Sequence, residues 1–465
     1  MSYSSLLLAV FALSWSSTCG AWQPARTANS SPRLAVPDSG WIITGDPVAV
    51  RILDVAPRDT VTLIARRWVL LSRWSGDGWT TDTVAVQSRA RWVGRATGSI
   101  AIDRDAPIDG TWRESSPWGV LWSMRRDSQP DAASRTRSRS RIALTLLRGS
   151  RVVDTATLRL RSSAVPLDTT VVLRDGVAGA FVRPSGARRV PTVIALHGSE
   201  GGDTVTNKAM ATMFAARGYA TLALSYYNNQ APGALPGVPV AFDSLPIGLL
   251  DRARDWLGAR PEADTSRTAL WGASKGGEFV MVAAARRRWP RAVVGCVPSD
   301  VMWAGYGRAP APGEVLTSWS DGDRRLPAIP YDRYEEVFQD KGITPRTVHD
   351  RSRAGAPDAA RAARIPIEQT RAPLLLLGGD RDDVWASGPM VASIDSTMRA
   401  SGNRVDVETA RYADAGHAIC SRGIDPVPDY GADDDPVAIA TARAAADAWR
   451  RTVAFLARTL GPRAR

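Results

Sequence analysis

The stretch TALWGASKGGEFVMVAAA, residues 268–285, decides the fold of this chain. Its apolar start, up to Trp271, is typical of a buried strand, and the run from Phe279 to Ala285 is typical of a helix. Between them lies a G-x-S-x-G pattern centred on Ser274. Small residues are needed on both sides of the serine, because strand and helix meet there in a very tight turn. The pattern therefore predicts that Ser274 is a nucleophile presented at the end of a strand.

Strands alternate with helices on both sides of this turn, which is typical of a mostly parallel sheet in an α/β domain. A Pro-, Gly- and Arg-rich insertion, residues 302–365, is predicted to cap the edge of the sheet where Ser274 lies. Strands are predicted at 192–196, 220–224, 268–271, 292–295 and 374–377, and helices at 207–217, 247–257, 279–285 and 436–460.

A serine nucleophile needs a general base, and the chain has three histidines. His197 precedes the nucleophile in a loop at a strand end, and His349 lies in the insertion, where we expect it to face solvent. His417 follows the last candidate strand in the sequence Asp414-Ala415-Gly416-His417. The order Ser, acid, His along the chain is that of α/β-hydrolases, so we predict that His417 is the base.

The acid that orients the base is sought after the strand 374–377, in the sequence GGDRDDVW of residues 378–385. Asp382 lies far enough beyond the strand to turn towards His417, and it is the preferred candidate. Asp380, within the turn itself, and Asp383, expected to face solvent, remain alternatives.

A negatively charged oxygen forms when a serine attacks a carbonyl group, and backbone N–H groups stabilise it. We predict that Lys275, directly after the nucleophile, donates one N–H group. The loop HGSEGG at 197–202 should donate the other, from Ser199 or, alternatively, Glu200. This chemistry requires no metal and no organic cofactor.

The first 165 residues have a different texture. Residues 1–21 are predicted to be an export signal, with lipidation of Cys19 as an alternative, and 22–38 a flexible linker. Short strands separated by Gly, Pro and Asp then predict an immunoglobulin-like β-sandwich at 39–165, followed by the catalytic domain at 166–465. Export predicts a periplasmic, secreted or lipid-anchored protein; without a functional signal it would be cytoplasmic.

The formal net charge of +12 raises the question of an acidic partner, but only three of the 59 basic residues are Lys. Arginines scattered along the chain, without an aromatic-basic motif or a recognition helix, give no reason to expect nucleic-acid binding. After the signal no segment is long and apolar enough to span a membrane. A small-molecule substrate is the expected partner.

Three cysteines, Cys19, Cys296 and Cys420, show no metal-ligand spacing. Cys296 and Cys420 both follow predicted strands. We expect two buried free thiols, with a disulfide bridge between them as the alternative.

From about Val48 to the last helix, the chain resembles the family of acyl-CoA thioesterases and bile acid-CoA:amino acid N-acyltransferases. The resemblance rests on the stretches at 109–112, 116–123, 272–276 and 379–387, and on Gly416-His417. It implies an α/β-hydrolase domain preceded by a β-sandwich, with Ser274, Asp382 and His417 as the catalytic residues.

The resemblance implies hydrolysis of acyl-CoA to a free acid and CoA through an acyl-enzyme on Ser274. Family members that transfer amino acids carry Cys as the nucleophile, so serine favours hydrolysis. Export favours an alternative, a carboxylesterase or lactone hydrolase with the same triad. Further alternatives are an N-acyltransferase and an inactive binding protein, and an intact set of Ser274, Asp382 and His417 argues against the latter.

Overall fold

The structure is a computed structural model that describes residues 31–75, 78–128, 139–230, 233–339, 342–420, 427–428 and 435–461, with the backbone alone at 71–75 and 78–81. The predicted signal at 1–21, with Cys19, lies outside the described residues. The described chain from residue 32 onward forms one compact unit.

Two antiparallel-rich sheets form the first part of this unit. A three-stranded sheet has the order β1-β3-β6, and a seven-stranded sheet has the order β2-β10-β9-β4-β5-β7, with β8 also paired to β5. The strands are β1 (Arg33–Ala35), β2 (Trp41–Ile43), β3 (Arg51–Leu53), β4 (Thr60–Ser75), β5 (Gly78–Val93), β6 (Ser99–Ala101), β7 (Asp109–Gly110), β8 (Arg125–Arg126), β9 (Arg141–Arg148) and β10 (Arg151–Arg161).

One hydrophobic cluster joins these two sheets, because Ile52 and Ile100 of the smaller sheet and Leu63 and Leu144 of the larger belong to it. Four tryptophans, Trp92, Trp112, Trp118 and Trp122, are also buried in it, in keeping with the core role of aromatic side chains. The immunoglobulin-like character of this part stays a prediction.

The predicted linker at 22–38 was too long at its end. Arg33–Ala35 is a strand that pairs with Arg51–Leu53, and the Leu34 N–H donates to an Asp154 carboxylate oxygen at 2.6 Å. Leu34 also packs against the hydrophobic cluster. This burial holds the segment in the sheet despite its polar, Pro-rich surroundings.

The second part is built on an eight-stranded sheet with the order β11-β12-β14-β13-β16-β17-β20-β21. All neighbours from β14 to β21 pair in parallel, and β12 pairs antiparallel with β11 and β14. The strands are β11 (Leu167–Arg174), β12 (Val177–Pro184), β13 (Val190–Leu196), β14 (Ala220–Leu224), β16 (Ala263–Ala273), β17 (Ala292–Cys296), β20 (Leu374–Gly379) and β21 (Val407–Tyr412). This topology is the α/β-hydrolase fold.

Four central strands, β13, β14, β17 and β20, are buried along their whole length. Such continuous apolar runs are expected where helices cover both faces of a parallel sheet. The α-helices are α1 (Gly119–Trp122), α2 (Thr204–Ala215), α3 (Leu249–Gly258), α4 (Lys275–Arg286), α5 (Pro345–Gly355), α6 (Pro357–Ala362), α7 (Ser387–Ala400) and α8 (Pro436–Leu460).

The insertion between β17 and β20 forms its own small structures. A three-stranded sheet combines β15 (Leu245–Pro246) with β18 (Trp319–Asp321) and β19 (Arg324–Arg325), and helices α5 and α6 follow. Turns of 3-10 helix lie at Tyr334–Phe338, Ile367–Gln369 and His417–Ile419. Over the described residues, no helix has both the length and the apolar character that a membrane crossing needs.

Candidate active site

Strand β16 ends at Ala273 and helix α4 begins at Lys275, so Ser274 alone makes the turn between them. Its backbone has φ 56° and ψ −122°, a left-handed conformation that costs energy for a residue with a side chain. The turn is held by two hydrogen bonds of the Ser274 backbone, from its N–H to the Cys296 carbonyl at 3.1 Å and from the Glu278 N–H to its carbonyl at 2.9 Å.

The two flanking glycines are required by close backbone contacts. A Cβ atom on Gly272 would lie 2.1 Å from the carbonyl oxygen of Gly276. A Cβ atom on Gly276 would lie 2.4 Å from the carbonyl oxygen of His197 and 2.6 Å from that of Leu196. The small residues of the G-x-S-x-G pattern therefore let strand, turn and helix pack against the end of β13.

The structure brings Ser274, His417 and Asp382 together in one chain of hydrogen bonds. His417 Nε2 lies 2.9 Å from Ser274 Oγ, and His417 Nδ1 lies 2.9 Å from each carboxylate oxygen of Asp382. With Nδ1–H donating to the carboxylate, Nε2 carries the lone pair that can accept the serine proton. The geometry can activate a serine hydroxyl.

Of the three carboxylates considered for the acid, Asp382 is the one in contact with His417. It is buried, and its Oδ1 accepts hydrogen bonds from the Val384 N–H at 2.9 Å and the Trp385 N–H at 3.1 Å. Asp380 instead pairs with Arg411 at 3.0 Å, and the Asp383 side chain is exposed.

The environment keeps Asp382 ionised. Burial alone raises the pKa of this carboxyl, but attraction to His417 and hydrogen bonds from His417, Ser387 and the Val384 N–H outweigh it, so the pKa is lowered. An ionised carboxylate can hold the imidazole orientation and stabilise the imidazolium that forms during catalysis.

The two predicted oxyanion donors lie in the segments that flank Ser274. Lys275 is the first residue of α4, where the N–H group has no acceptor within the helix. Ser199 follows Gly198, and a Cβ atom on Gly198 would lie 3.1 Å from Ser274 Cβ. The Gly198 N–H is occupied by Glu200 Oε1 at 2.9 Å. The donor role of Lys275 and Ser199 stays a prediction.

His197 anchors the loop at 197–202 through contacts with Tyr226. Its ring stacks on Tyr226 at 4.3 Å between ring centroids, and the Tyr226 hydroxyl donates to the His197 carbonyl at 2.7 Å. Burial lowers the pKa of His197, so the ring is a neutral packing element.

The expectation that His349 faces solvent was wrong. This residue is 3% exposed. Its ring packs edge-to-face against the rings of Trp303 and Trp385, with distances between ring centroids of 4.5 Å and 5.7 Å. Trp385 in turn contacts the His417 ring at 5.8 Å. The insertion folds back onto the site, and aromatic packing buries His349 behind His417.

A buried ion pair next to Ser274 was not predicted from the sequence. Lys275 Nζ lies 2.9 Å from both carboxylate oxygens of Glu278 and 2.9 Å from Ser318 Oγ in the insertion. Glu278 Oε1 also accepts from the Trp319 indole N–H at 2.6 Å and from the Trp303 backbone N–H at 3.2 Å. Lys275 and Glu278 are three residues apart at the start of a helix, and this spacing could have predicted the ion pair. No pattern in the sequence indicated that Trp303 and Trp319 would bind Glu278.

The expectation of two free thiols was also wrong. Cys296 at the end of β17 and Cys420 after the His417 turn form a disulfide, with Cα atoms 6.2 Å apart. The fold brings these residues together across 124 positions of sequence, and the bridge is the alternative left open because both cysteines follow predicted strands.

Comparison with known proteins finds relatives for both parts of the chain. The family model "Acyl-CoA thioester hydrolase/BAAT N-terminal region" matches residues 45–166, and "BAAT / Acyl-CoA thioester hydrolase C terminal" matches 247–422. Acyl-coenzyme A thioesterase 1 of Mus musculus is 23% identical over 450 residues, covering 92% of this chain and 97% of the relative. Mitochondrial acyl-coenzyme A thioesterase 2 of Homo sapiens is 24% identical over 407 residues, covering 85% and 76%.

Among solved structures, an esterase from Pyrobaculum calidifontis is 16% identical with a TM-score of 0.37, covering 63% of this chain and 88% of that one. The two family models match the two parts of the chain in the order in which the sheets occur. The chain therefore belongs to the family of acyl-CoA thioester hydrolases and bile acid-CoA:amino acid N-acyltransferases.

Proposed function

We propose that this chain is a serine-dependent thioester hydrolase that cleaves acyl-CoA to a free acid and CoA. Its class, a hydrolase of thioester or ester bonds, follows from the family. The observation that supports the finer proposal is the hydrogen-bonded chain from Ser274 Oγ through His417 to the buried Asp382. Serine at this position favours water over an amino acid as the final acceptor.

In the acylation half of the reaction, Ser274 Oγ attacks the carbonyl carbon of the thioester while His417 Nε2 takes the hydroxyl proton. The N–H groups of Lys275 and Ser199 stabilise the resulting oxyanion. When the tetrahedral intermediate collapses, the carbon–sulfur bond breaks and the imidazolium of His417 gives its proton to the departing sulfur.

In the deacylation half, water attacks the acyl group on Ser274 and His417 accepts a proton from that water. The second tetrahedral intermediate collapses, the carboxylic acid leaves, and the proton returns to Ser274 Oγ. Asp382 stays ionised throughout and compensates the positive charge on His417 in both halves.

The test is thiol release from a panel of acyl-CoA esters of different chain lengths, beside hydrolysis of matched oxyesters. We expect cleavage of at least one acyl-CoA class, and a fall of at least about 10³-fold in Ser274→Ala. Ser162→Ala, an exposed serine remote in sequence from the site, is the matched control and should retain wild-type rates. Wild-type rates in Ser274→Ala would contradict the proposed nucleophile.

A second candidate, an exported carboxylesterase or lactone hydrolase, is favoured by the apolar stretch from Leu6 to Trp15. Export would remove the enzyme from the cytosolic CoA pool, and the same triad cleaves oxyesters. The mass of the mature N-terminus tests export, and loss of residues 1–21 is the expected result. Turnover of oxyesters with all CoA esters untouched would select this candidate.

A further inference from the structure

The disulfide between Cys296 and Cys420 joins β17, the strand next to the one that ends at Ser274, to the segment that carries His417. Both cysteines are buried, at 0% and 8% exposure, and they belong to the same hydrophobic cluster. The bridge therefore lies in a packed interior and not at the surface of a loop.

On one side, Cys296 is part of the support beneath Ser274. It pairs with Ala273 in the ladder between β16 and β17, and its carbonyl accepts the Ser274 N–H at 3.1 Å. The same carbonyl lies 2.8 Å from the position of a Cβ atom on Gly277. A displacement of Cys296 would therefore shift the turn that presents the nucleophile.

On the other side, Cys420 directly follows the 3-10 turn His417–Ile419. The chain before the turn is held by the Gly416 N–H, which donates to Thr441 Oγ1 of helix α8 at 2.7 Å, and by the Ala415 N–H, which donates to the Tyr412 carbonyl at 3.2 Å. Beyond the turn, the bridge at Cys420 provides a covalent attachment. His417 thus lies between a hydrogen-bonded anchor and a covalent one.

We propose that the Cys296–Cys420 disulfide is a positioning element for catalysis, which fixes the His417 ring at hydrogen-bond distance from Ser274 Oγ. The inference rests on the proposed roles of Ser274 and His417. It adds a requirement beyond the three catalytic residues: the segment that contains His417 must be tied covalently to β17, the strand beside the nucleophile. A misplacement of a catalytic group by about 1 Å can cost roughly 100-fold in rate.

The first measurement is peptide mapping by mass spectrometry of the protein digested without reductant and with free thiols blocked. We expect a crosslinked pair of peptides that contain Cys296 and Cys420. If both thiols are free and Ser274 nevertheless reacts rapidly with an activated fluorophosphonate, the proposal is overturned. His417 would then be positioned without the bridge.

The second measurement is the rate of covalent labelling of Ser274 by an activated fluorophosphonate. The rate constant reports the reactivity of each folded molecule, and the final amplitude reports the fraction of folded molecules. For Cys420→Ala and for the double variant Cys296→Ala, Cys420→Ala, we expect a rate constant about 10- to 100-fold lower at nearly full amplitude. An unchanged rate constant would overturn the positioning role.

Val294→Ala is the matched control, because Val294 is a buried residue of the same strand and the same hydrophobic cluster as Cys296. It weakens the same core without touching the bridge. We expect it to lower the unfolding temperature and to leave the labelling rate constant unchanged. If it slowed labelling as much as Cys420→Ala does, general loosening of the core would explain both effects and the proposal would fail.

This experiment separates the inference from the proposed substrate. Labelling needs the nucleophile and its base but not the correct acyl group, so a wild-type protein that labels rapidly and cleaves no acyl-CoA would leave the bridge proposal standing. A wild-type protein in which Ser274 does not label at all would overturn both, since no reactive pair would exist for the bridge to position.

Discussion

At the scale of single residues, Asp382 is distinguished from Asp380 and Asp383 by its hydrogen bonds to His417 Nδ1 and by its burial. We expect Asp382→Asn to lower kcat by about 10³- to 10⁴-fold, because the amide cannot hold the productive tautomer or stabilise the imidazolium. Asp383→Asn, at an exposed carboxylate, should stay within a few-fold of wild type. Steady-state kinetics of both variants check this, and equal losses would contradict the assignment.

Lys275 and Glu278 form an ion pair that is almost completely buried, with side chains 4% and 0% exposed. We expect Glu278→Ala to lower the free energy of unfolding by about 3–5 kcal/mol, because it leaves the Lys275 charge buried without its partner. Urea denaturation measures this loss. In the double variant Lys275→Met, Glu278→Ala most of the loss should be recovered, and a double variant less stable than Glu278→Ala would contradict the argument.

These residues also show what the sequence reveals at this scale. Ser274 was predicted from the G-x-S-x-G pattern between a strand and a helix, and His417 from the order Ser, acid, His along the chain. The partners of Glu278 were not, because Trp303 and Trp319 reach it from 25 and 41 positions away. Spacing between neighbouring residues cannot predict contacts that form only when the distant insertion folds against the site.

At the scale of elements, the turn between β16 and α4 depends on the absence of a side chain at Gly276. We expect Gly276→Ala to destabilise the protein by about 3 kcal/mol or more and to abolish activity, because the added Cβ would collide with the His197 carbonyl. Gly355→Ala is the control, since a Cβ there meets no atom within 4 Å and alanine favours the helix. Thermal unfolding and thiol-release assays test both, and a stable, active Gly276→Ala would contradict the packing argument.

Elements with complete local signals were predicted with correct bounds. Helix α8 was predicted at 436–460 and runs from Pro436 to Leu460, because Asp435 caps it through the Val437 N–H, Pro436 opens it and Gly461 follows it. Strand β14 also has its predicted bounds, a fully buried run from Ala220 to Leu224.

Other elements were not predicted, among them an antiparallel pair of strands and a helix. The antiparallel pair β11 and β12 lies at the edge of the sheet, where Val171 and Leu173 are more than half exposed and the apolar pattern gives no clear sign of burial. Helix α7 was not predicted although Met390, Ile394 and Met398 recur every four residues on its buried face. It lacks a side-chain cap at its start, so its beginning carries no local signal.

At the scale of the whole molecule, the insertion packs against the residues around Ser274 and His417. It supplies Trp303, Ser318 and Trp319 to the buried pair of Lys275 and Glu278, and His349 to the aromatic packing behind His417. Composition predicted its position over the edge of the sheet, but a segment rich in Pro, Gly and Arg gave no sign that a histidine would be buried within it. Long-range packing decides that burial.

The burial of His349 makes the stability of the whole chain depend on pH. Burial lowers its pKa from 6.5 to about 4, only partly opposed by its hydrogen bond to the Pro345 carbonyl, while the nearby charges of Lys275, Asp382 and His417 act in both directions. Between these two pKa values the unfolded chain binds a proton at this site that the folded chain does not. Stability from this residue is therefore present above pH 6.5 and is lost as the pH falls towards 4.

We therefore expect the wild-type protein to lose about 2 kcal/mol of unfolding free energy between pH 7 and pH 5 through His349 alone. His349→Phe keeps an aromatic ring between Trp303 and Trp385 and removes the titrating group. Urea denaturation of both proteins at pH 7 and pH 5 measures the difference, and the variant should lose correspondingly less stability than wild type over that interval. Equal losses in the two proteins would mean that His349 is protonated in the folded state at pH 5, and the aromatic packing would then have to accommodate a cation directly behind His417.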